Sequence, residues 1–407
     1  MPANLIGLLG IVVILGIALA LSTNRRAINL RVVAAAFALQ VVIALLVLYV
    51  DAGRAAIDTL SGWVMLVIGY SRDGINMVFG PLADTESVGM SFAVHVLPII
   101  IFFSALMSVL YNLHIMQWVV KLFGGALHRI IGTGAVESMN AAANVFVGQT
   151  EAPLVVRPYL KNLTEPQLFA VMVSGLASVA GTVLAAYVLM GAELKYLLAA
   201  SFMAAPGGLL MAKLIMPDDP KAVVSGREQL EMEDSGPVNP ILAAANGASD
   251  GLRLAVNIGA MLIAFVALIA LINGIVGGVG AWFGAELSLQ KILGGLFAPL
   301  MWVLSVPWEE AQAAGALFGE KLILNEFVAF SHINDYLAGM SERTRAIVTF
   351  SLCGFANLSS IAILLGGLGV LVPEKRDLIA RFGLRAVAAG SLSNLMSAAL
   401  AGLLLTF

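Results

Sequence analysis

Charge is what this sequence has least of. Lysine, arginine, aspartate and glutamate make up 12% of its 407 residues, about half the roughly 25% of a soluble domain. A soluble surface around a core of this size needs far more, so a large water-soluble domain is excluded. The net charge of -3 offers no basic face to a nucleic acid. The single cysteine, Cys353, excludes an intramolecular disulfide and any multi-cysteine metal site. It lies in an apolar run and reads as a small packing residue. His95, His114, His128 and His332 show no metal-ligand spacing. Neither an H-E-x-x-H motif nor a phosphate-binding glycine loop occurs. With no nucleophile–base pair either, the chain is not read as an enzyme and no cofactor is implied.

What the chain does have is apolar length. Hydrophobic residues make up 60% of it, and several runs exceed the roughly 18 residues that argue for a membrane-crossing helix. Eight spans are expected, at 4–22, 31–50, 92–120, 165–190, 196–214, 254–278, 345–371 and 385–406. No basic region precedes the first run, and Arg25 and Arg26 follow it, so it reads as a retained helix rather than a signal peptide. Residues 54–80, with Asp58, Arg72 and Asp73 among apolar neighbours, suit an interfacial helix. The polar, Pro- and Gly-rich segment 216–240 reads as a cytoplasmic loop. Residues 241–253 read as a short interfacial helix before the sixth span.

Orientation follows from the loop cations. Placing Arg25, Arg26 and Arg31 in the cytoplasm leaves only Arg54, Arg72, Lys195, Lys291, Lys321, Arg343 and Arg345 of the 22 lysines and arginines outside. Both termini are then external. Two stretches, 122–162 and 285–340, begin and end on one side. Each is moderately apolar and studded with Gly, Asn, Gln and Glu. Each is expected to form an amphipathic helix followed by a re-entrant hairpin, the first entering from the cytoplasm and the second from outside. Irregular backbone at that depth must line a cavity or be buried in protein.

The two halves also match. Leu122-Phe123 precedes Glu151 much as Leu296-Phe297 precedes Glu326, with Glu137 in the first interval and Glu309 and Glu310 in the second. Downstream, the run from Ser174 to Gly181 resembles that from Cys353 to Ser360. The order helix, hairpin, small-polar span, span therefore occurs twice, in opposite orientations. Inverted repeats with interrupted helices point to a secondary transporter whose site lies between the repeats. The competing reading is chance similarity among small-residue-rich helices.

Two carboxylates dominate these stretches. An ionisable residue at membrane depth is costly and reads as functional. Gln149, Thr150 and Glu151 give an amide, a hydroxyl and a carboxylate in succession, and Pro153 opposes a helix running through them. Such a tip can read a flat polar ligand such as a nucleobase. The alternative is that Thr150 or Gln149 caps a helix. Asn325-Glu326 supplies the second tip, a natural acceptor for vicinal hydroxyls. Asn357 and Ser360 share a helix face and could reach the same ligand, or bond between helices. Asn144 and Ser178 are candidate sodium ligands by chemistry, a weak signal from spacing alone.

Gly319-x-Lys321-x-x-x-Asn325-Glu326-Phe327-Val328-Ala329-Phe330 resembles the signature of the concentrative nucleoside transporters. Gly148-Gln149-Thr150-Glu151-Ala152-Pro153 and Gly354-Phe355-Ala356-Asn357-Leu358-Ser359-Ser360 resemble two further runs of that family. The resemblance covers essentially the whole chain and is similar to the bacterial type. It implies an all-α polytopic membrane protein of eight transmembrane helices plus two opposed re-entrant hairpins, assembled as a homotrimer in the bacterial inner membrane. It implies that Gln149, Thr150 and Glu151 contact the base of a nucleoside (uridine, cytidine or adenosine class), with Val183 packing on it. Glu326, Asn357 and Ser360 would bind the ribose, and Phe355 would line the site. Sodium would be held by the side chains of Asn144 and Ser178 and the carbonyls of Val147 and Val179.

The expected division is a scaffold of residues 1–121 and 254–284 and a mobile transport part of 122–215 and 285–407, joined through 216–253. The expected activity is sodium-coupled nucleoside symport by alternating access. A proton-coupled symporter and a passive channel are the alternatives.

Overall fold

The computed structural model describes residues 3–89, 91–219, 239–337 and 339–405. Most of the expected cytoplasmic loop, residues 220–238, lies outside them. Every regular element among the described residues is helical. The first three helices are α1 (Ala3–Ala20), α2 (Leu30–Leu48) and the amphipathic α3 (Asp51–Phe79). Asn29 starts α2 by accepting the Arg31 and Val32 amides, as an N-cap should. The third span, α4 (Leu97–Asn112), ends well before residue 120. His114 stands at φ 60, a left-handed conformation that an L-residue does not hold inside a helix. The amphipathic α5 (Ile115–Ile131) starts there instead, burying Met116, Val120, Gly124, Leu127 and Ile131 along one stripe.

The first repeat continues with α6 (Ala135–Ala143), a tip at 144–151, a 3-10 turn (Ala152–Val156), the half-span α7 (Glu165–Ala177), a break, α8 (Gly181–Leu189) and α9 (Leu194–Ile215). Next comes α10 (Pro240–Trp282), one helix of 43 residues. The separate interfacial helix expected at 241–253 is its first part. Asn239 caps it through the Leu242 amide, 2.8 Å away, and nothing interrupts it afterwards. Its Gly247 and Gly251 lie against α4, where a Cβ would fall 2.6 Å from the Ser104 carbonyl oxygen and 2.7 Å from the Ile101 Cα. Small residues four apart permit this backbone approach.

The second repeat follows the same order: α11 (Leu289–Val303), α12 (Trp308–Ile323), a tip at 324–325, α13 (Glu326–Ser331), the half-span α14 (Glu342–Leu352), a break, α15 (Ser360–Gly366) and α16 (Arg376–Leu404). A 117° bend separates α11 from α12. Thr164 and Ser341 cap the two half-spans, accepting the Gln167 and Thr344 amides.

The helices form two tiers. In the most apolar stretch of the α7–α8 pair, α9 and α16, 89–94% of residues are buried, against 17–22% in α2, α4 and α10. Yet α2, α4 and α10 are the more apolar, with Ile263, Val256 and Leu271 among their exposed side chains. Helices apolar on the outside belong in hydrocarbon, and the inner bundle carries the polar residues. Six described helices are long and apolar enough to cross a membrane. The first and seventh expected spans correspond to α1 and to the interrupted α14–α15, which are shorter.

Candidate functional site

Both breaks are open backbone rather than bent helix. Ser178 is extended, at φ -106 and ψ 168, and the Gly181 amide donates to the Phe146 carbonyl in the first tip at 3.0 Å. A Cβ on Gly181 would sit 2.7 Å from that oxygen, so the tip docks only against glycine. In the second repeat the Leu358 amide donates to the Leu322 carbonyl at 3.1 Å. The Phe355 amide joins the breaks by donating to the Ser178 carbonyl, also at 3.1 Å. Both tips and both breaks thus converge on one region.

They enclose a cavity of about 500 Å³, ample for a small ligand. Its wall brings together Gln149, Thr150, Glu151, Val183, Glu326, Phe355, Asn357 and Ser360. The carboxylates differ in setting. Glu151 is exposed to the cavity, while Glu326 is 4% exposed.

Glu326 opens α13, which Asn325 caps by accepting the Val328 amide at 2.9 Å. The Tyr187 hydroxyl donates to its Oε1 at 3.2 Å and the Asn357 Nδ2 to its Oε2 at 3.1 Å. Two oxygens have about four acceptor sites, so Glu326 keeps lone pairs for a ligand. Asn357 is held in turn: its Oδ1 accepts from the Ser359 hydroxyl at 2.7 Å and the Ser360 amide at 2.9 Å. The Ser360 hydroxyl donates to the Phe355 carbonyl at 2.5 Å. The second tip is thus a set of acceptors and hydroxyls locked in place before any ligand arrives.

The first tip is less satisfied. The oxygens Gln149 Oε1 and Asn144 Oδ1 are buried and lack a hydrogen-bond partner. Asn144 donates its Nδ2 to the Asn140 carbonyl at 2.9 Å, which fixes the amide and turns its oxygen away. That oxygen lies 3.7 Å from the Cβ position of Gly175, and the Ser178 hydroxyl donates to the Gly175 carbonyl at 3.4 Å. Asn144 and Ser178 therefore both lie beside Gly175 near the end of α7, with Val147 and Val179 buried in the tip and the break. A buried unpartnered oxygen is rare and suits a hard cation. Among the described residues no His, Cys, Asp or Glu cluster could hold a metal.

Several site residues carried no sequence signal of their own. Asn257 of α10 and Thr182 line the cavity, beside the Asn325 and Ser359 of the two motifs. Tyr187 is one aromatic in an apolar run. Glu137 served only to align the repeats. Its Oε1 is 2.5 Å from the Lys213 Nζ, and its Oε2 accepts the Gly134 amide at 2.7 Å, pinning the base of the first hairpin to α9. Glu320 is fully buried, accepts from Gln290 at 2.9 Å and contacts the His332 Nδ1 at 3.1 Å. Lys213 and Lys321, counted above as loop cations, are both inside the protein at 3% and 0% exposure.

Comparison with known proteins agrees along the chain. The family description "Na+ dependent nucleoside transporter N-terminus" matches residues 9–82, "Nucleoside recognition" 93–194, and "Na+ dependent nucleoside transporter C-terminus" 196–402. An uncharacterized transporter of Haemophilus influenzae is 55% identical, covering 97% of this chain and 96% of that one. The nucleoside permease NupC of Helicobacter pylori is 50% identical over 98% of both. The solved structure of CNTnw in an inward-facing substrate-bound state has a TM-score of 0.93 at 54% identity, covering 99% of this chain and 98% of that one. A substituted CNTnw in an outward-facing state gives 0.95 at 54% identity, with the same coverage. The chain belongs to the Na+-dependent nucleoside transporter family.

Proposed function

We propose that this protein is a sodium-coupled symporter that accumulates nucleosides across the bacterial cytoplasmic membrane. The observation that carries the reading is the pairing of a preset second tip with an unsatisfied first one. Glu326, held by Tyr187 and Asn357, offers acceptors to ribose hydroxyls. Gln149, Thr150 and Glu151 face the same cavity with an amide, a hydroxyl and a carboxylate for the base, and Val183 and Phe355 supply apolar wall.

The orphaned Asn144 oxygen, with Ser178 and the Val147 and Val179 carbonyls, is the place for the co-transported sodium. An ion there would satisfy that oxygen and draw the tip against the end of α7, ordering Gln149 for the base. Coupling requires that sodium bind the nucleoside-competent state better than the empty one. One inward charge at a membrane potential of about 100 mV contributes about 2.3 kcal/mol, roughly a fiftyfold concentration ratio. We take the mobile part to be 122–215 and 285–407, moving against a scaffold of 1–121 and 254–284, with three copies assembled through the scaffold. The scaffold residue Asn257 lines the cavity, so this movement would remove it from one wall.

Uptake of labelled uridine into vesicles, with choline replacing sodium at constant pH, tests the reading. Uptake should fall to background in choline. Undiminished accumulation in choline points to a proton as the coupling ion, and equilibration without accumulation to a passive channel.

A further inference from the structure

Lys321 is a fully buried cation that does not line the cavity. It sits in the last turn of α12, five residues before Glu326. Its ammonium donates to the Asn394 Oδ1 at 2.9 Å and to the Ser351 carbonyl at 3.3 Å, and lies 5.7 Å from the centre of the Phe318 ring. Ser351 belongs to the last turn of α14. The final carbonyls of a helix lack helical partners and carry the negative end of its dipole.

Asn394 of α16 connects both breaks. Its Nδ2 donates to the Ala177 carbonyl at 2.6 Å and the Cys353 carbonyl at 2.8 Å, the ends of α7 and α14. Both amide protons are then used, and the amide oxygen is left for Lys321. Gly354 makes the room, since a Cβ there would be 2.6 Å from the Asn394 Nδ2. Cations are favoured at helix C-termini, and here the chain supplies its own.

The first repeat differs at the matching place. The Phe146 carbonyl accepts from its break as the Leu322 carbonyl does from the other, and the residue before Phe146 is the uncharged Val145 where the residue before Leu322 is Lys321. The end of α7 is met instead by the Ser178 hydroxyl, with the unpartnered Asn144 oxygen beside it. One repeat therefore has a surplus acceptor at its broken helix, and the other has a resident ammonium.

We propose that Lys321 is a positioning residue whose ammonium is the tethered second-repeat counterpart of the ion that the first repeat takes from solution. It fixes the end of α14 and, through it, Asn357 and Ser360 on the ligand. The ion dependence of binding is thereby confined to the first repeat. The comparison of repeats rests on the sodium reading at Asn144, but the role of the ammonium is tested separately.

The test is uridine binding to purified Lys321→Gln and Lys321→Ala at saturating sodium, with and without added ethylammonium, beside the wild type. Lys321→Gln keeps a donor of similar length and removes the charge, so it reports even where the alanine variant does not fold. Both variants should bind roughly tenfold to a hundredfold more weakly, the range for losing hydrogen bonds from a charged donor. Ethylammonium should restore binding in Lys321→Ala, which leaves room for it, and not in Lys321→Gln or the wild type. Unchanged affinity in Lys321→Gln overturns the proposal. So does a folded Lys321→Ala that is weak and indifferent to ethylammonium. Sodium-independent binding by the wild type would count against the coupling ion assigned to the first repeat and leave the rescue result to decide the role of Lys321.

Discussion

The Tyr187 hydroxyl donates to Glu326 across 3.2 Å, so a side chain of the first repeat holds the carboxylate of the second. Tyr187 is fully buried and stacks on Phe330, with ring centres 4.4 Å apart. The carboxylate thus stands between an aromatic wall and Asn357, and its geometry depends on both repeats being closed together.

Tyr187→Phe keeps the stacked ring and removes the donor. Affinity for ribonucleosides should fall about tenfold, as expected when one hydrogen bond to a charged group is lost. Deoxyribonucleosides should lose less, because the contact that Tyr187 supports is already reduced for them. Calorimetric titration of uridine and its 2′- and 3′-deoxy forms decides this, and equal losses for all three would remove the ribose from Glu326. Glu326→Ala should abolish detectable binding.

Asn144→Ala removes the unpartnered oxygen at the end of α7. The sodium concentration needed for half-maximal uridine uptake should rise by roughly tenfold or more, on the scale of losing a hydrogen bond or ligand to a charged group. The ranking of bases should stay as in the wild type. A changed ranking with unaltered sodium dependence would mean that Asn144 reads the base.

The Glu137–Lys213 pair is buried on both sides. Breaking a buried pair by removing one member leaves an uncompensated charge and costs about 3–5 kcal/mol; the full cost falls on Lys213→Met, because without Glu137 the Lys213 ammonium still has Asp218 at 2.7 Å. Glu137→Ala and Lys213→Met should each lower the melting temperature of the purified protein. The double variant Glu137→Met/Lys213→Met should recover much of the loss, because two apolar side chains can replace the pair. Additive losses would show that each residue acts through other partners.

Asn257 lies on α10 and faces the cavity. If α10 stays in place while the repeats move, Asn257→Ala should raise the KM for nucleoside with little change in melting temperature. Its cost should be about 1 kcal/mol, the scale of one neutral hydrogen bond. An unaltered KM would place Asn257 away from the bound ligand.

The sequence made the skeleton of this fold readable because the bilayer simplifies the code. Long apolar runs locate helices, and Gly, Asn, Gln, Glu and Pro within them mark where helix gives way. Both tips were legible for that reason, around Glu151 and Glu326, and the small polar runs at Ser174–Gly181 and Cys353–Ser360 stood out; but Asn357 and Ser360 were expected on one helix face, and Asn357 instead lies in the open break before α15. Pairing was not. Lys213 and Lys321 counted as loop charges because a linear pattern cannot show that Glu137 and Asn394 wait for them inside. His114 ended a span through its backbone conformation alone. The 43-residue α10 was divided in sequence because Asp250 and Arg253 interrupt its apolar character, while its backbone runs straight through them. Asn257 gave no signal, since only packing decides which face of α10 meets the cavity.

The most direct test of the account is the affinity of the purified protein for uridine, measured by calorimetry as sodium rises from zero, with choline holding ionic strength constant. The account predicts that binding tightens steadily with sodium and then saturates, and that Asn144→Ala shifts that saturation to higher sodium. Uridine affinity that is the same at every sodium concentration would contradict it.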